Sequence, residues 1–338
     1  MEKWYDKTAD NGDIVISTRI RLLRNIRTLP FEARMSSGQK TALNELTVAA
    51  LQEEDSVNTK WRFLPMQEMT STERVSLAER NLISRSFLEQ PKHKMLALSG
   101  DESLSVAVNG EDHIRIQVLG GGMDLPGAYL AAGHIDDVLD ERLGYAFDER
   151  LGYLTASPAD LGTGMCVCVI MHLPALEHSK IIPQLMQTVG RMGLAIRGSF
   201  GEGGSALGAC YEISNQVTLG LSEETAIKNL ENVALQIIES ERVLRKEMLK
   251  NNIDIIDEIC RSYGILKYAR LLSAEEFYEQ ISNVRFGVAE HIISGVTLTS
   301  INRLFHMVGA ATIRAEENQE LSPKERDHHR AKIVREAL

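Results

Sequence analysis

The stretch Asn109-Gly110-Glu111-Asp112-His113-Ile114-Arg115-Ile116-Gln117 sets three acid/base groups beside an alternating Ile-Arg-Ile-Gln run. In a strand, that alternation puts Ile114 and Ile116 on one face and Arg115 and Gln117 on the other. A carboxylate is thereby delivered next to a cation on the polar face of a sheet. Such a pair can hold a cationic acceptor and an anionic donor side by side. Three further segments offer groups of the same kind. They are Ser17-Thr18-Arg19-Ile20-Arg21, the loop Leu161-Gly162-Thr163-Gly164 feeding Met165-Cys166-Val167-Cys168-Val169-Ile170, and Arg197-Gly198-Ser199-Phe200-Gly201-Glu202.

Each segment alone has a plainer reading. Arg19 and Arg21 would suit a solvated strand face, and Glu202 a surface loop. Cys166 and Cys168 share one strand face, but zinc needs wider spacing and more ligands, so both read as core or site-lining thiols. His113 reads as a structural group bonded within the sheet.

Several elements must position these groups. Residues 14–22 read as a strand, and 37–54 and 71–88 have helical spacing. Strands at 94–98, 104–109 and 113–119, with a Ser99-Gly100-Asp101-Glu102 turn, make an antiparallel meander. Gly120 to Gly122 break the sheet before a helix over 125–142. A buried strand covers 165–173, a helix follows Pro174, and strands follow at 194–196 and 211–219. The loop 198–208 holds five glycines and suits a mobile or ligand-shaped segment. A long helix over 223–250 opens a region of helices only, whose last member has Ser322 as cap, Pro323 at its first position and Glu325 three after the cap. The expected fold is α+β: a largely antiparallel sheet flanked by helices over 13–240, then an all-helical domain over 241–338.

Composition bounds the function classes. At 338 residues and 43% hydrophobic, the chain can bury a good core and form two domains. A net charge of -10 argues against general nucleic-acid binding, which needs Lys and Arg to neutralise phosphates, but suits a basic partner. There is no apolar run of about 18 residues to span a membrane. Met1 to Asp10 has no signal-peptide core. Four cysteines (Cys166, Cys168, Cys210, Cys260) are too few and scattered for a disulfide framework. A soluble cytoplasmic protein is the expectation.

Taken together, the four segments resemble the catalytic domain of the ATP:guanido phosphotransferases, the phosphagen kinase family, over residues 13 to 240. The helical region after it, and no small helical domain before it, resemble the bacterial protein-arginine kinase branch. Arg326-Asp327-His328-His329-Arg330-Ala331 is similar to that branch's Arg-Asp-x-x-Arg-Ala phosphoarginine-binding motif, which implies Arg326, Asp327, Arg330 and Ala331 as an allosteric site.

The resemblance implies that Arg19, Arg21, Arg115 and Arg197 grip nucleotide phosphates. Ser17, Thr18, Ile20, Asn81, Cys166 to Ile170 and Gly198 to Glu202 would lie in the nucleotide-binding segments. Glu111 and Glu202 would hold the acceptor guanidinium, with Ser157 beside it. Two carboxylates suit the task because a free guanidinium is protonated at any biological pH, and it attacks only when oriented and able to lose a proton. ATP and Mg2+ are implied, with no metal ligand among the side chains. Implied partners are proteins with exposed arginine, a zinc-binding activator, a protease-system chaperone and a second copy of the chain, with neither membrane nor nucleic acid. The implied outcome is marking of proteins for stress-response proteolysis.

The chain departs from the family pattern at five positions. Gly110 replaces a glutamate of the magnesium shell, Ser157 a cysteine, Asp160 an asparagine, Cys166 a phosphate-binding arginine and Asn81 a histidine. Arg85 is a nearby cation that could substitute for the missing one. These changes keep a second reading open, a degenerate kinase acting as a phosphoarginine-binding or regulatory scaffold. A third, a free-arginine phosphagen kinase, is disfavoured by the helical region.

Overall fold

The computed structural model describes residues 2–53, 59–201, 204–250 and 252–338. The strands are β1 (Val15–Arg24), β2 (Trp61–Pro65), β3 (Met95–Ser99), β4 (Leu104–Val108), β5 (Ile114–Gly121), β6 (Phe147–Asp148), β7 (Gly152–Tyr153), β8 (Met165–His172), β9 (Leu194–Phe200) and β10 (Ala206–Asn215). The helices are α1 (Ser37–Glu53), α2 (Ser71–Glu79), α3 (Leu125–Leu143), α4 (Pro174–His178), α5 (Ile182–Gly190), α6 (Glu223–Leu249), α7 (Ile253–Tyr268), α8 (Ala274–Ala289), α9 (Leu298–Met307), α10 (Ala310–Glu317) and α11 (Pro323–Ala337).

Eight strands form one antiparallel sheet in the order β2-β3-β4-β5-β1-β8-β10-β9. β1 lies in its middle, so the arginines of β1 sit at the centre of a face. Alternation then sorts the side chains. Ile20, Leu22, Ile114, Ile116, Val167 and Val169 join a core with Leu43 of α1, Leu139 of α3 and Leu230 of α6. Arg19, Arg21, Arg115, Gln117, Cys166 and Cys168 take the opposite face. That face is closed on one side by Leu96, Leu98 and Leu119 packed with Phe87 and Leu77. On the other side Ile16, Ile170 and Cys210 pack with Phe277, Ile281 and Phe305 of the helical region. Between these two apolar flanks lies a polar window.

Expected and observed elements differ in several places. The helix over 71–88 stops at Glu79; Asn81 takes a left-handed φ of 61°, which asparagine tolerates, and a separate 3-10 turn covers Arg85–Leu88. β2 was not expected; it is a short edge strand ending at Pro65. β9 runs on to Phe200 and β10 begins at Ala206, so most of the glycine-rich segment is a hairpin. Gly198 permits this, since a Cβ there would lie 2.1 Å from the backbone of Ala206. β10 ends at Asn215 because that side chain takes over the pairing: it accepts from the Val167 N–H at 2.8 Å and donates to the Met165 carbonyl at 3.0 Å.

The boundary expected at 240/241 falls inside α6. Ala226 to Ile238 of this helix bury a stripe against the sheet core, and Glu241 and Arg245 continue the stripe as a buried ion pair at 2.8 Å. Arg245 donates to the His172 carbonyl at 3.0 Å, and Arg285 of α8 to the carbonyls of Gly12 and Asp13, both at 2.9 Å. The helical region is thus bonded to the chain just before β1. Among the described residues no helix is long and apolar enough to cross a membrane.

Candidate active site

Register builds the site. Arg21 pairs with Gln117 on β5 and with Cys166 on β8, and Arg19 pairs with Leu119 and Cys168. Arg115 lies one row further along, opposite Leu23. Three guanidinium groups are therefore brought together on the polar window. Arg21 Nη2 donates to Cys166 Sγ at 3.0 Å, Arg19 Nη2 to Glu212 Oε2 at 2.6 Å and Arg115 Nη2 to Gln117 Oε1 at 3.3 Å. Gln117 is itself fixed by donating to the Asn81 carbonyl at 2.8 Å.

This cluster is short of negative charge. Neither Arg21 nor Arg115 has a carboxylate partner among the described residues, and Nε of both Arg19 and Arg21 is buried without an acceptor. Burial, then the charges of Arg21 and Arg19, push the Arg115 guanidinium down to about 9. The acid bonded to this cluster, Glu212, is held below its usual range: burial opposes its charge, but Arg19 and Arg21 outweigh that. A group of cations with unused donors on a desolvated surface is what an incoming polyanion would satisfy.

Acids share a cleft with two of these arginines. The cleft, of 270 Å³, is lined by Arg21, Arg115 and Cys166 and by Glu111, Asp112 and Asp160, with Phe87 and Ala107. Larger cavities lie elsewhere, among them one of 580 Å³ between α5 and α6 and one of 690 Å³ between β10 and helices α7 and α8. The turn carrying Glu111 is locked on both sides. Asn109, at φ 60°, donates to Lys40 and His93 carbonyls and to Asn44. His113 is buried, its Nδ1 accepting from the Ile26 N–H at 2.9 Å and its Nε2 facing the Pro30 carbonyl at 2.8 Å, which is the structural role expected of it. Asp112 accepts from Asn25 Nδ2 at 2.6 Å and from the Ala156 N–H at 2.7 Å. Burial nevertheless lifts its carboxyl above the usual range, those bonds only partly offsetting it. Glu111 between them is exposed and lines the cleft.

The other expected site residues are placed as follows. Arg197 lies in register with Glu212 on the same face, exposed, but does not line the cleft. Ser157 accepts from the Ala159 N–H, so its hydroxyl shapes the turn that presents Asp160. Ser17 and Thr18 are buried, and Thr18 donates to the Gly122 carbonyl at 2.8 Å. Ile20, Val167 and Val169 point into the opposite core, and Ile170 into the apolar flank. Cys168 is buried beside Arg19, its thiol pushed up to about 12 by burial. These residues hold the arginines in place and leave the cleft to Arg21, Arg115 and Cys166. Asn81 contributes its carbonyl to Gln117. Gly198, Ser199, Phe200 and Gly201 lie in the β9–β10 hairpin. Glu202 lies outside the described residues.

Two departures acquire a physical context. A Cβ on Gly110 would stand 3.3 Å from the Phe87 ring, so Phe87 occupies the space a larger residue would claim. Arg85 is exposed while Ser84 and Ser86 line the cleft, so its side chain does not replace the missing cation at Cys166.

On α11, Arg330 is buried and donates to the carbonyls of Val308 and Leu272 and to Asp327 at 2.6 Å, while Ala331 packs in the helical core. Arg330 therefore ties α11 to its neighbours with Asp327 paired to it inside the helix, and Arg326, half-buried, is the motif cation with no such bond among the described residues. Glu212 was missed at the sequence level. The alternation Cys210-Tyr-Glu-Ile-Ser214 places it on the arginine face and could have revealed it.

Residues 42–244 match the model of the ATP:guanido phosphotransferase C-terminal catalytic domain, and residues 252–338 that of the protein-arginine kinase McsB C-terminal domain. A protein-arginine kinase of Clostridium acetobutylicum is 39% identical over 339 residues, covering 100% of both chains. The chain belongs to the protein-arginine kinase family. A second family member, from Symbiobacterium thermophilum, is also 39% identical, over 99% of this chain and 96% of that one. The kinase fold recurs in lombricine kinase (TM-score 0.62, 23% identity, 72% of this chain and 71% of that one). It recurs too in the duplicated taurocyamine kinase of Schistosoma mansoni (TM-score 0.64, 22% identity, 80% of this chain and 42% of that one). The two family models leave 245–251 between them, so they meet at the end of α6 rather than at 240/241.

Proposed function

We propose that the protein transfers the γ-phosphoryl group of ATP to arginine side chains of proteins. The observation that carries this reading is a cleft lined both by under-compensated arginines and by carboxylates. Arg19, Arg21, Arg115 and Arg197 would grip the phosphates, their planar forks matching phosphate oxygens and never losing charge at neutral pH. Glu111, with Glu202, would clamp the acceptor guanidinium. In transfer the guanidinium nitrogen forms the P–N bond, the bond to the ADP leaving group breaks, and one guanidinium proton passes to a carboxylate. No group of three or more metal-ligating side chains is present among the described residues, so magnesium would arrive on the nucleotide's phosphates and screen their charge. With no covalent intermediate to make, positioning and charge cancellation carry the rate.

The same reading includes allosteric control by phosphoarginine at α11, where Arg326 is the cation left to meet a phosphoryl group. It also includes a dimer, a zinc-binding activator, a protease-system chaperone and marking of proteins for stress-response proteolysis in the cytoplasm, on the strength of the family resemblance. One observation favours the scaffold reading instead: Cys166 stands in the cleft where the family pattern has a cation, and Arg21 is bonded to it.

Phosphate transfer from labelled magnesium ATP to an arginine-rich protein, read as acid-labile phosphoarginine, separates the two. Label that disappears in Glu111→Gln and Glu202→Ala supports the kinase. A folded protein that binds phosphoarginine and yields no label, with or without the activator, supports the scaffold.

A further inference from the structure

Helix α10 has no cap of its own. Its N-cap is Gly309, so its first amides need an oxygen from elsewhere. Glu79, the last residue of α2, supplies it. The Ala311 N–H donates to Glu79 Oε1 at 3.0 Å, and the Thr312 N–H and hydroxyl donate to Glu79 Oε2, both at 2.8 Å. A carboxylate also suits the positive end of a helix. The fit leaves no room for a side chain on the cap residue: a Cβ on Gly309 would lie 2.2 Å from Glu79 Oε2. Val308, just before it, is held by Arg330 of α11, which donates to its carbonyl at 3.0 Å.

The other end of this contact reaches the arginine cleft. Backbone bonds wrap the chain after Glu79 onto α2: the Asn81 N–H donates to the Ala78 carbonyl at 3.0 Å and the Leu82 N–H to the Leu77 carbonyl at 2.9 Å. The carbonyls of Asn81 and Leu82 accept from Gln117 Nε2 at 2.8 and 3.3 Å. Gln117 Oε1 in turn accepts from Arg115 Nη2 at 3.3 Å. The same segment runs on to Ser84, Ser86 and Phe87, which line the cleft together with Arg115. Hydrogen bonds and a short run of backbone therefore join the start of α10 to the cleft. The apolar cluster of Leu77, Leu82 and Phe87 and the Arg80–Glu102 pair at 2.7 Å hold this segment within the sheet region, and Glu79 ties it to the helical region as well.

We propose that Glu79 is a positioning residue through which the helical region sets the arginine cleft. The α10 start holds the turn whose carbonyls fix Gln117, and Gln117 holds Arg115. The consequence for nucleotide binding rests on the kinase reading above; the tie from α10 to residues 81–87 does not.

The test uses the full chain with Glu79→Ala, Gly309→Ala, Gln117→Ala and their pairwise doubles. Gly309→Ala strikes the contact from the helical side, because its Cβ displaces the carboxylate. Three quantities are measured: the Kd for magnesium ATP by calorimetry, Tm, and amide hydrogen exchange over residues 81–87. Each single variant should weaken nucleotide binding by about tenfold, the scale of residues that act through others. Each double should stay within about twofold of its worse single, since all three lie on one route. Exchange over 81–87 should quicken in Gly309→Ala. A cap that serves stability alone would lower Tm and leave the Kd of the folded chain unchanged, and that result overturns the proposal. So do losses that multiply in the doubles, since those signal separate damage. Unchanged exchange over 81–87 in Gly309→Ala overturns it in any case. Should Glu79→Ala not fold, Gly309→Ala and its double with Gln117→Ala decide by the same criteria. If the unmodified chain binds no magnesium ATP, the nucleotide reading of the cleft fails by itself, and exchange over 81–87 decides on the tie alone.

Discussion

Two sets of buried arginines differ in how completely their donors are used. Arg24 bonds Asp136 through Nε and Nη2 and the Thr163 carbonyl through Nη1, and lies 3.6 Å over the Tyr153 ring. Arg285 donates to Asn302 and to the Gly12 and Asp13 carbonyls, and Arg330 to two carbonyls and Asp327. On the polar window, among the described residues, Nε of Arg19 and of Arg21 has no acceptor, and Arg115 donates to a glutamine amide. Charge stress does not separate the sets, because burial and neighbouring cations push both Arg285 and Arg115 down to about 9. Donor saturation separates them. An arginine whose fork is filled by its own chain holds the fold, and one whose fork is unfilled in a cleft is kept for a ligand.

The largest effect expected from this contrast is chemical. Arg115→Ala should lower phosphoryl transfer by about 10³-fold or more, in steady-state assays, while leaving thermal stability equal or higher, because it relieves repulsion with Arg21 and Arg19. On the saturated side the loss should be structural. Glu241→Ala strands the buried Arg245 and should cost about 3–5 kcal/mol in denaturant unfolding, with nucleotide affinity of the folded fraction unchanged.

Acid should divide the two regions next. His306 is fully buried between Trp4, Tyr5 and Phe200, with no hydrogen-bond partner for either ring nitrogen among the described residues, and burial pushes it down to about 4. His172, buried against Arg245 and Ser282, is lowered as well, by burial first. A histidine lowered in the folded state takes up its proton more readily when unfolded. Stability is therefore full above about pH 7 and falls as pH drops from about 6.5 towards 4. For His306 alone the loss approaches roughly 3 kcal/mol, and His306→Phe should flatten the Tm profile across that window. Glu212, lowered by Arg19 and Arg21 against burial, contributes in a lower pH range: its stabilisation persists above the ordinary carboxylate value and is lost only as pH falls below it. A Glu212→Gln variant with the same Tm profile at pH 4 and below would contradict that assignment.

The smallest effect belongs to Cys166. Its thiol is a weak acceptor for Arg21, so Cys166→Ala should change nucleotide Kd by no more than about threefold in calorimetry. A larger loss would make the thiol part of the phosphate site.

Much of the site was legible in the sequence because period two is unambiguous in β1, β5 and β8: the faces of Arg19, Arg21, Arg115, Cys166 and Cys168 follow from alternation alone. The turn around Glu111 was equally readable, including the structural role of His113. What was not legible depends on tertiary partners. Asn81 ends α2 through a left-handed backbone that helical spacing conceals. The hairpin of β9 and β10 includes Gly198 and Gly208, which carry no strand signature, and β10 stops because the Asn215 side chain bonds β8. The polar stretch of α11 looked like a ligand site throughout, whereas the bonds of Arg330 show half of it spent on packing helices together. The helix over 223–250 was legible, whereas the boundary expected at 240/241 cuts through it, where the buried face of α6 changes from apolar side chains to the Glu241–Arg245 pair.

The most direct test sets one arginine of each kind side by side. Nucleotide Kd by calorimetry and Tm would be measured for Arg115→Gln and Arg285→Gln. The unfilled fork should lose nucleotide affinity by about 100-fold with Tm unchanged or raised, and the filled one should lose Tm with Kd unchanged. Arg115→Gln binding nucleotide as tightly as the unmodified chain would contradict the account.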